Sequence, residues 1–270
     1  MSQKGRDRMK TKRSYDLDIQ RSNLVVKDNR LIQVARYGLT STQQKFIAFL
    51  ISKIKPNDKK LQTFEIRVQD FCELTGIDAK RFYGEIRTMI DDFDENQSFW
   101  IDTPTETYKF RWFSDTRYIK GTGTVRVTLA PTLQEYLIGL TANFTTYELY
   151  NILALRSKYA IRLFELFKSY AYQRQREFEI ENLKNLLLAT NYKNFADFEK
   201  RVLKPAIHEI NEYTELTVSY NKARTGRKFT DIIFFIEKKS ILDGHLSYRK
   251  TIAKLNSGKV MENQTSLFDD

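Results

Sequence analysis

Phe178-Glu179-Ile180, the apolar run Leu183 to Leu188, the turn Asn191-Tyr192-Lys193, the stretch Phe195 to Asn211, and the strand-like runs Leu216 to Tyr220 and Phe229 to Ile236 follow one another in order. In the long stretch, Phe195, Phe198, Val202, Ala206 and Ile210 recur at spacings of three and four, the mark of a helix with one buried stripe. The last two runs are β-rich and joined by Asn221-Lys222-Ala223-Arg224-Thr225-Gly226-Arg227-Lys228, whose Arg-Thr-Gly-Arg core reads as a hairpin turn with Gly at positive φ. Ahead of them, Ala160 to Tyr172 is amphipathic, with Ile161, Leu163, Phe164, Leu166 and Phe167 apolar. The order is helix, strand, helix, turn, helix, hairpin.

The same order is present upstream. Thr40-Ser41-Thr42-Gln43-Gln44 has the residues of a capped helix start and leads into Phe46, Ile47, Phe49, Leu50 and Ile54 before Pro56. Phe64-Glu65-Ile66 repeats the downstream triplet letter for letter. Helices at Val68 to Leu74 and Ala79 to Phe93 flank the turn Gly76-Ile77-Asp78. Strand-like runs then follow at Phe99-Trp100-Ile101 and Tyr108 to Phe113, around Asp102-Thr103-Pro104. A repeated order of this kind predicts an α+β chain of two tandem winged-helix domains, each a helix-turn-helix followed by a β-hairpin wing. The expected divisions are a flexible basic arm over 1–22, an N-terminal domain over 23–140, a C-terminal domain over 141–240 and a polar tail over 241–270.

The 270 residues carry 45 Lys and Arg against 34 Asp and Glu, a net charge of +11, which favours a polyanionic partner. Up to Arg13 there are six basic residues and one acid. No apolar segment follows that could make a signal peptide, and nowhere do eighteen apolar residues run together, so no membrane role is expected. Cys72, the one cysteine, sits in Phe71-Cys72-Glu73-Leu74 and reads as a small core residue. A reducing, cytoplasmic setting is expected.

Double-stranded DNA is the polyanion that this architecture suits, because a helix of this size fits the major groove. The outward stripe of the downstream helix carries Lys193, Asn194, Asp197, Lys200, Arg201, Lys204 and His208, and the wing adds Lys222, Arg224, Arg227 and Lys228 with no acid between Thr217 and Thr230. The wing is expected to reach phosphates or the minor groove. Pro205 lacks an N–H, so it either kinks the helix or restarts it. In the upstream copy Lys80, Arg81 and Arg87 face outward, but Asp91, Asp92, Asp94 and Glu95 crowd the end of the same helix, so weak backbone contact or protein association is expected there.

Catalysis is not expected. His208 and His245 are the only histidines and are not at metal-ligand spacing, and no phosphate-cradling Gly-rich loop or nucleophile elbow exists. Gly121-Thr122-Gly123 reads as a turn. No cofactor or metal is expected.

Two longer stretches carry a resemblance. Leu155-Arg156-Ser157-Lys158-Tyr159-Ala160-Ile161-Arg162-Leu163-Phe164-Glu165-Leu166 and Val202-Leu203-Lys204-Pro205-Ala206-Ile207-His208-Glu209-Ile210-Asn211 resemble signatures of the iteron-binding plasmid replication initiators, as do Asn23-Leu24-Val25-Val26-Lys27 and Leu39-Thr40. The likeness runs over roughly residues 20–240, with Phe164 where that family often has Tyr. It implies a second domain dominant in reading repeated origin DNA and a first domain that mediates dimerisation in a monomer–dimer equilibrium. It also implies origin opening with host replication initiator and helicase proteins, and repression of the protein's own gene. A winged-helix transcriptional repressor without origin activity is the alternative, and a nuclease the third reading.

Overall fold

The computed structural model describes residues 16–95, 99–102, 105–226 and 228–258. The basic residues up to Arg13, the turn residues Thr103 and Pro104, Arg227 and the stretch 259–270 lie outside it. Residues 16–21 form a short helix, α1. β1 (Leu24–Asp28) and α2 (Asn29–Gln33) lead to α3 (Ser41–Ile51), β2 (Thr63–Arg67), α4 (Val68–Thr75) and α5 (Ala79–Glu95). Two hairpins follow, β3 (Phe99–Asp102) with β4 (Thr107–Phe110), and β5 (Phe113–Ile119) with β6 (Thr124–Leu129). α6 (Gln134–Leu137), β7 (Phe144–Glu148) and α7 (Tyr150–Leu153) carry the chain to α8 (Lys158–Tyr170). Next come β8 (Gln175–Glu179), α9 (Ile180–Leu186), α10 (Phe195–Phe198), a π-helical turn (Glu199–Leu203), α11 (Lys204–Tyr213), β9 (Leu216–Thr225), β10 (Lys228–Lys238) and α12 (Ile241–Asn256).

The two copies are equivalent strand by strand. One antiparallel sheet has the order β2-β6-β5 and the other β8-β10-β9, so in each the strand before the helix-turn-helix pairs with the second strand of the wing. The repeated triplet occupies the same place in both. Ile66 and Ile180 are buried at the strand-to-helix step, while Glu65 and Glu179 are exposed. The helix start at Thr40 is a capping box: the Gln43 N–H donates to the Thr40 hydroxyl at 3.2 Å, and the Thr40 N–H donates to the Gln43 side chain at 2.8 Å.

Five expectations are corrected. The first wing is β5–β6, turning through Gly121 and Gly123 at positive φ, whereas β3–β4 is a separate small hairpin. The run Tyr108 to Phe113 is not one strand: β4 ends at Phe110 and β5 begins at Phe113, with Trp112 buried between them. The expected arm over 1–22 contains α1, anchored by Arg21, and the expected tail over 241–270 contains the packed helix α12. β7, placed in the second domain by the sequence, pairs with β1 of the first.

One continuous apolar core runs through both units. α8 is its centre and carries a buried polar network. Arg162 Nη1 donates to the Leu31 carbonyl at 3.4 Å and to the Tyr37 hydroxyl, and Nη2 donates to the Ile32 and Ala35 carbonyls at 3.3 and 2.9 Å. Glu165 accepts from Lys27 Nζ at 2.5 Å and from the Tyr147 hydroxyl. Burial pushes the Glu165 carboxyl up, but Lys27, Arg162 and these hydrogen bonds outweigh it and hold it below its ordinary range. The first resembling stretch thus fastens α8 to β1, α2 and β7. In the second, the Glu209 carboxylate accepts the Arg156 and Ser157 N–H groups at 2.9 and 3.3 Å, and the Asn211 amide brackets the backbone of Val218.

α3 is buried along its whole length, including its polar N-terminal half, and packs on α8. Lys45 is 1% exposed, and burial first, then the nearby Lys254 and Arg156 cations, hold its ammonium down to about 7 despite the opposing pull of Glu209. A lysine whose folded pKa lies below the unfolded value of about 10.4 loses stability as pH falls from about 10 to 7, where the unfolded chain holds the extra proton. Lys45→Met should therefore raise stability at pH 7 by about 2–4 kcal/mol, with the gain vanishing near pH 10. Urea titrations at the two pH values check it, and equal midpoint shifts at both would refute it.

Candidate nucleic-acid interface

The second unit presents α10, the π turn and α11 as one continuous helical element. Asn194 caps it: its Oδ1 accepts the Asp197 N–H at 2.8 Å and its Nδ2 donates to the Asp197 carboxylate at 2.6 Å. Asn194 and Asp197 are thus occupied in starting the helix. Pro205 cannot donate to the Arg201 carbonyl, and the chain answers with the π turn just upstream, where the Lys204 N–H donates to the Glu199 carbonyl five residues back. α11 then restarts with Pro205 in its first turn. Lys193, Lys200, Arg201, Lys204 and His208 are all exposed, and His208 lies 3.5 Å from Glu212.

The wing is tied to this helix through Glu199, a residue that the sequence reading did not single out. Its carboxylate accepts the Tyr220 hydroxyl at 2.7 Å and Lys222 Nζ at 3.2 Å. Partial burial raises the Glu199 carboxyl, but the bonds from Tyr220 and Lys222 outweigh it and bring it below its ordinary range. Lys222 also lies over the Phe195 and Phe229 rings, at 5.6 and 4.9 Å, and Arg224 stacks on Phe229 at 4.1 Å. Lys222 is thus a brace between helix and wing, while Arg224 and Lys228 remain exposed near the tip. Gly226 turns the hairpin at φ +64°. Nothing in the spacing marked the brace, because Tyr220 and Lys222 lie 21 and 23 residues from Glu199 along the chain.

The first unit has the same architecture with a different charge pattern. Lys80 is exposed on α5; the side chain of Arg81 lies outside the described residues, as do those of Asp94 and Glu95. Arg87 lies 3.8 Å from Asp91, and Asp92 accepts Gln43 Nε2 at 2.8 Å. On its wing, Arg117 pairs with Asp115 at 3.0 Å and Arg126 with Glu65 at 2.8 Å. Acids therefore accompany the first wing's arginines, whereas the second wing holds Arg224 and Lys228 in a stretch without acids. Among the described residues no His, Cys, Asp and Glu cluster could hold a metal ion, and no helix is long and apolar enough to cross a membrane.

Sequence models of one family match most of the chain, "Initiator Replication protein, WH1" over residues 24–168 and "Initiator Rep protein, WH2" over residues 179–236. The chain belongs to the initiator replication protein family. Its two winged helices are the family's WH1 and WH2 units. A replication initiation protein of Escherichia coli is 23% identical over 256 residues, covering 91% of this chain and 79% of its own. An uncharacterized 27.6 kDa protein of Escherichia coli is 27% identical over 178 residues, covering 63% of this chain and 73% of its own. The crystal structure of Pi initiator protein in complex with iteron DNA shares the fold, with TM-score 0.66 and 19% identity over 82% of this chain and 99% of that one.

Proposed function

We propose that this initiator binds repeated origin sites (iterons) on duplex DNA through WH2, with its recognition helix in the major groove and its wing on the backbone. The observation that carries the reading is the brace through Glu199, which ties the helix bearing exposed Lys200, Arg201 and Lys204 to the wing bearing exposed Arg224 and Lys228. The match of fold to Pi initiator, solved on iteron DNA, supports the same mode. WH1 contributes weaker backbone contact through Lys80 and Arg81. Origin opening with host initiator and helicase proteins, and repression of the protein's own gene, complete the role, in the bacterial cytoplasm and without catalysis or cofactor.

Arg201→Ala or Lys204→Ala should cost about 1–3 kcal/mol in binding the specific repeat, against no measurable change for Lys250→Ala on α12. Titration on specific and random duplexes checks it. Equal loss on both would reduce that residue to a phosphate contact.

Dimerisation through WH1 belongs to the same proposal. Trp100 and Tyr108 are exposed on opposite faces of the β3–β4 hairpin, Trp100 beside Lys109 and Tyr108 beside Phe110, whereas Phe110 and Trp112 are buried. Trp100→Glu with Tyr108→Glu should leave a monomer at concentrations where the unaltered chain dimerises, with binding to one isolated repeat intact. Sedimentation of the DNA-free chain decides it, and an unaltered chain that is monomeric throughout would overturn the dimer.

A further inference from the structure

α1 and α12 lie outside the two stretches that match the family's WH1 and WH2, yet they meet at the helix-turn-helix of WH1. Arg21 is 2% exposed. Its guanidinium donates to the Leu74 and Glu73 carbonyls, both at 3.1 Å, to Asn256 Oδ1 at 3.2 Å and to Asp18 at 3.4 Å. Leu74 and Glu73 belong to the last turn of α4, whose carbonyls have no partner within the helix. Arg21 therefore supplies those donors and holds the end of α12 at the same time.

The second contact is steric. Gly76 closes α4 in the left-handed region, at φ +70°, and a Cβ built there would stand 2.3 Å from the Leu255 carbonyl oxygen. The last turn of α12 thus rests directly on the turn between the two helices of the WH1 reader. α12 also packs on α7, with the Tyr248 ring 4.9 Å from that of Tyr150, and is fastened to WH2. Thr251 donates to the Tyr213 carbonyl at 2.7 Å, Lys254 lies 3.7 Å over the Tyr213 ring, and Lys239 Nζ donates to the Thr214 carbonyl at 2.8 Å and the Ser247 hydroxyl at 2.7 Å. Tyr213 ends α11, the recognition element of WH2. The C-terminal part of α12, from Thr251 to Asn256, therefore touches both the end of one recognition element and the turn of the other.

We propose that α1 and α12 form a clasp that fixes the WH1 helix-turn-helix relative to the WH2 recognition helix, so that both meet one duplex at a set spacing. The second half of this statement rests on the DNA-reading proposed above; the first half does not. Without the clasp the two cores stay joined through α3 and α8, but the α4–α5 end of WH1 loses its tie to WH2.

The test uses the full chain with spin labels at Thr88→Cys on α5 and Thr217→Cys on β9, both exposed, while buried Cys72 stays unlabelled. Pulsed EPR distances are compared with and without Arg21→Ala and, separately, Gly76→Ala. Each variant should broaden the distance distribution at least twofold. On a duplex long enough for both units its affinity should fall at least tenfold, with affinity for a duplex that accommodates WH2 alone unchanged. Distributions as narrow as the parent's in folded variants would overturn the clasp, as would equal loss on both duplexes. Should Arg21→Ala fail to fold, Asn256→Ala removes only the acceptor on α12, and an unchanged width there is equally fatal. If no duplex binds even the parent chain, broadening in the variants still upholds the clasp while the DNA reading falls.

Discussion

Arg162→Met should lower the unfolding free energy by about 3–5 kcal/mol, a large share of the 5–15 kcal/mol that a typical domain possesses. The substitution keeps much of the side-chain volume but strips donors from the Leu31 and Ile32 carbonyls, which α2 leaves without helical partners at its end, and from the Ala35 carbonyl just beyond it. It also removes the cation stacked 4.1 Å over Tyr37 and one of the two cations beside buried Glu165. Lys27 and Tyr147 would then hold that carboxylate alone. Urea denaturation of the two proteins, with equal m-values, gives the difference as a midpoint shift. A loss under about 1 kcal/mol would mean that water or a relaxed α2 replaces the guanidinium.

Neutralising Arg224, Arg227 and Lys228 together should weaken binding to specific and random duplexes alike. Each lost phosphate contact lowers the salt slope by roughly 0.9, so three would lower it by roughly 2.7, or two to three orders of magnitude in affinity near 0.1 M salt. The wing supports such contacts because Arg224 is already held on the Phe229 ring, which reduces the ordering needed on binding. Lys222→Ala should behave differently. Its charge is already opposed by Glu199, so the slope should change little while the angle between helix and wing loosens, which appears as lost discrimination between repeats. An unchanged slope in the triple variant would show that the wing stays off the backbone.

Local chemistry made some features legible from the start. Thr40 and Gln43 have side chains that can satisfy each other's backbone N–H only at a helix start, and they do so. Val125, Val127 and Leu129 alternate with polar residues in β6, so the true first wing was visible as a period of two beside the Gly121–Gly123 turn. Its aromatic neighbours Phe99, Trp100 and Tyr108 drew the strand assignment to β3–β4 because β-propensity cannot tell which hairpin completes a given sheet.

By itself the sequence determined the repeated order of helix, strand, helix, turn, helix and wing, the buried stripes, and the acid-free basic hairpin, since each follows from spacing within a single element. Tertiary structure alone decided which polar residues are buried. α12 turns Ser247, Thr251 and Leu255 inward while Ile241 and Leu242 remain exposed, so no apolar stripe marks its packed face. Arg21, Lys45, Arg162 and Glu165 read as surface charges until β1, α2, α3 and α8 are stacked. Many of their partners lie scores of residues away along the chain, and the carbonyls, carboxylates and rings that make burial tolerable exist as a set only once both winged helices share one core.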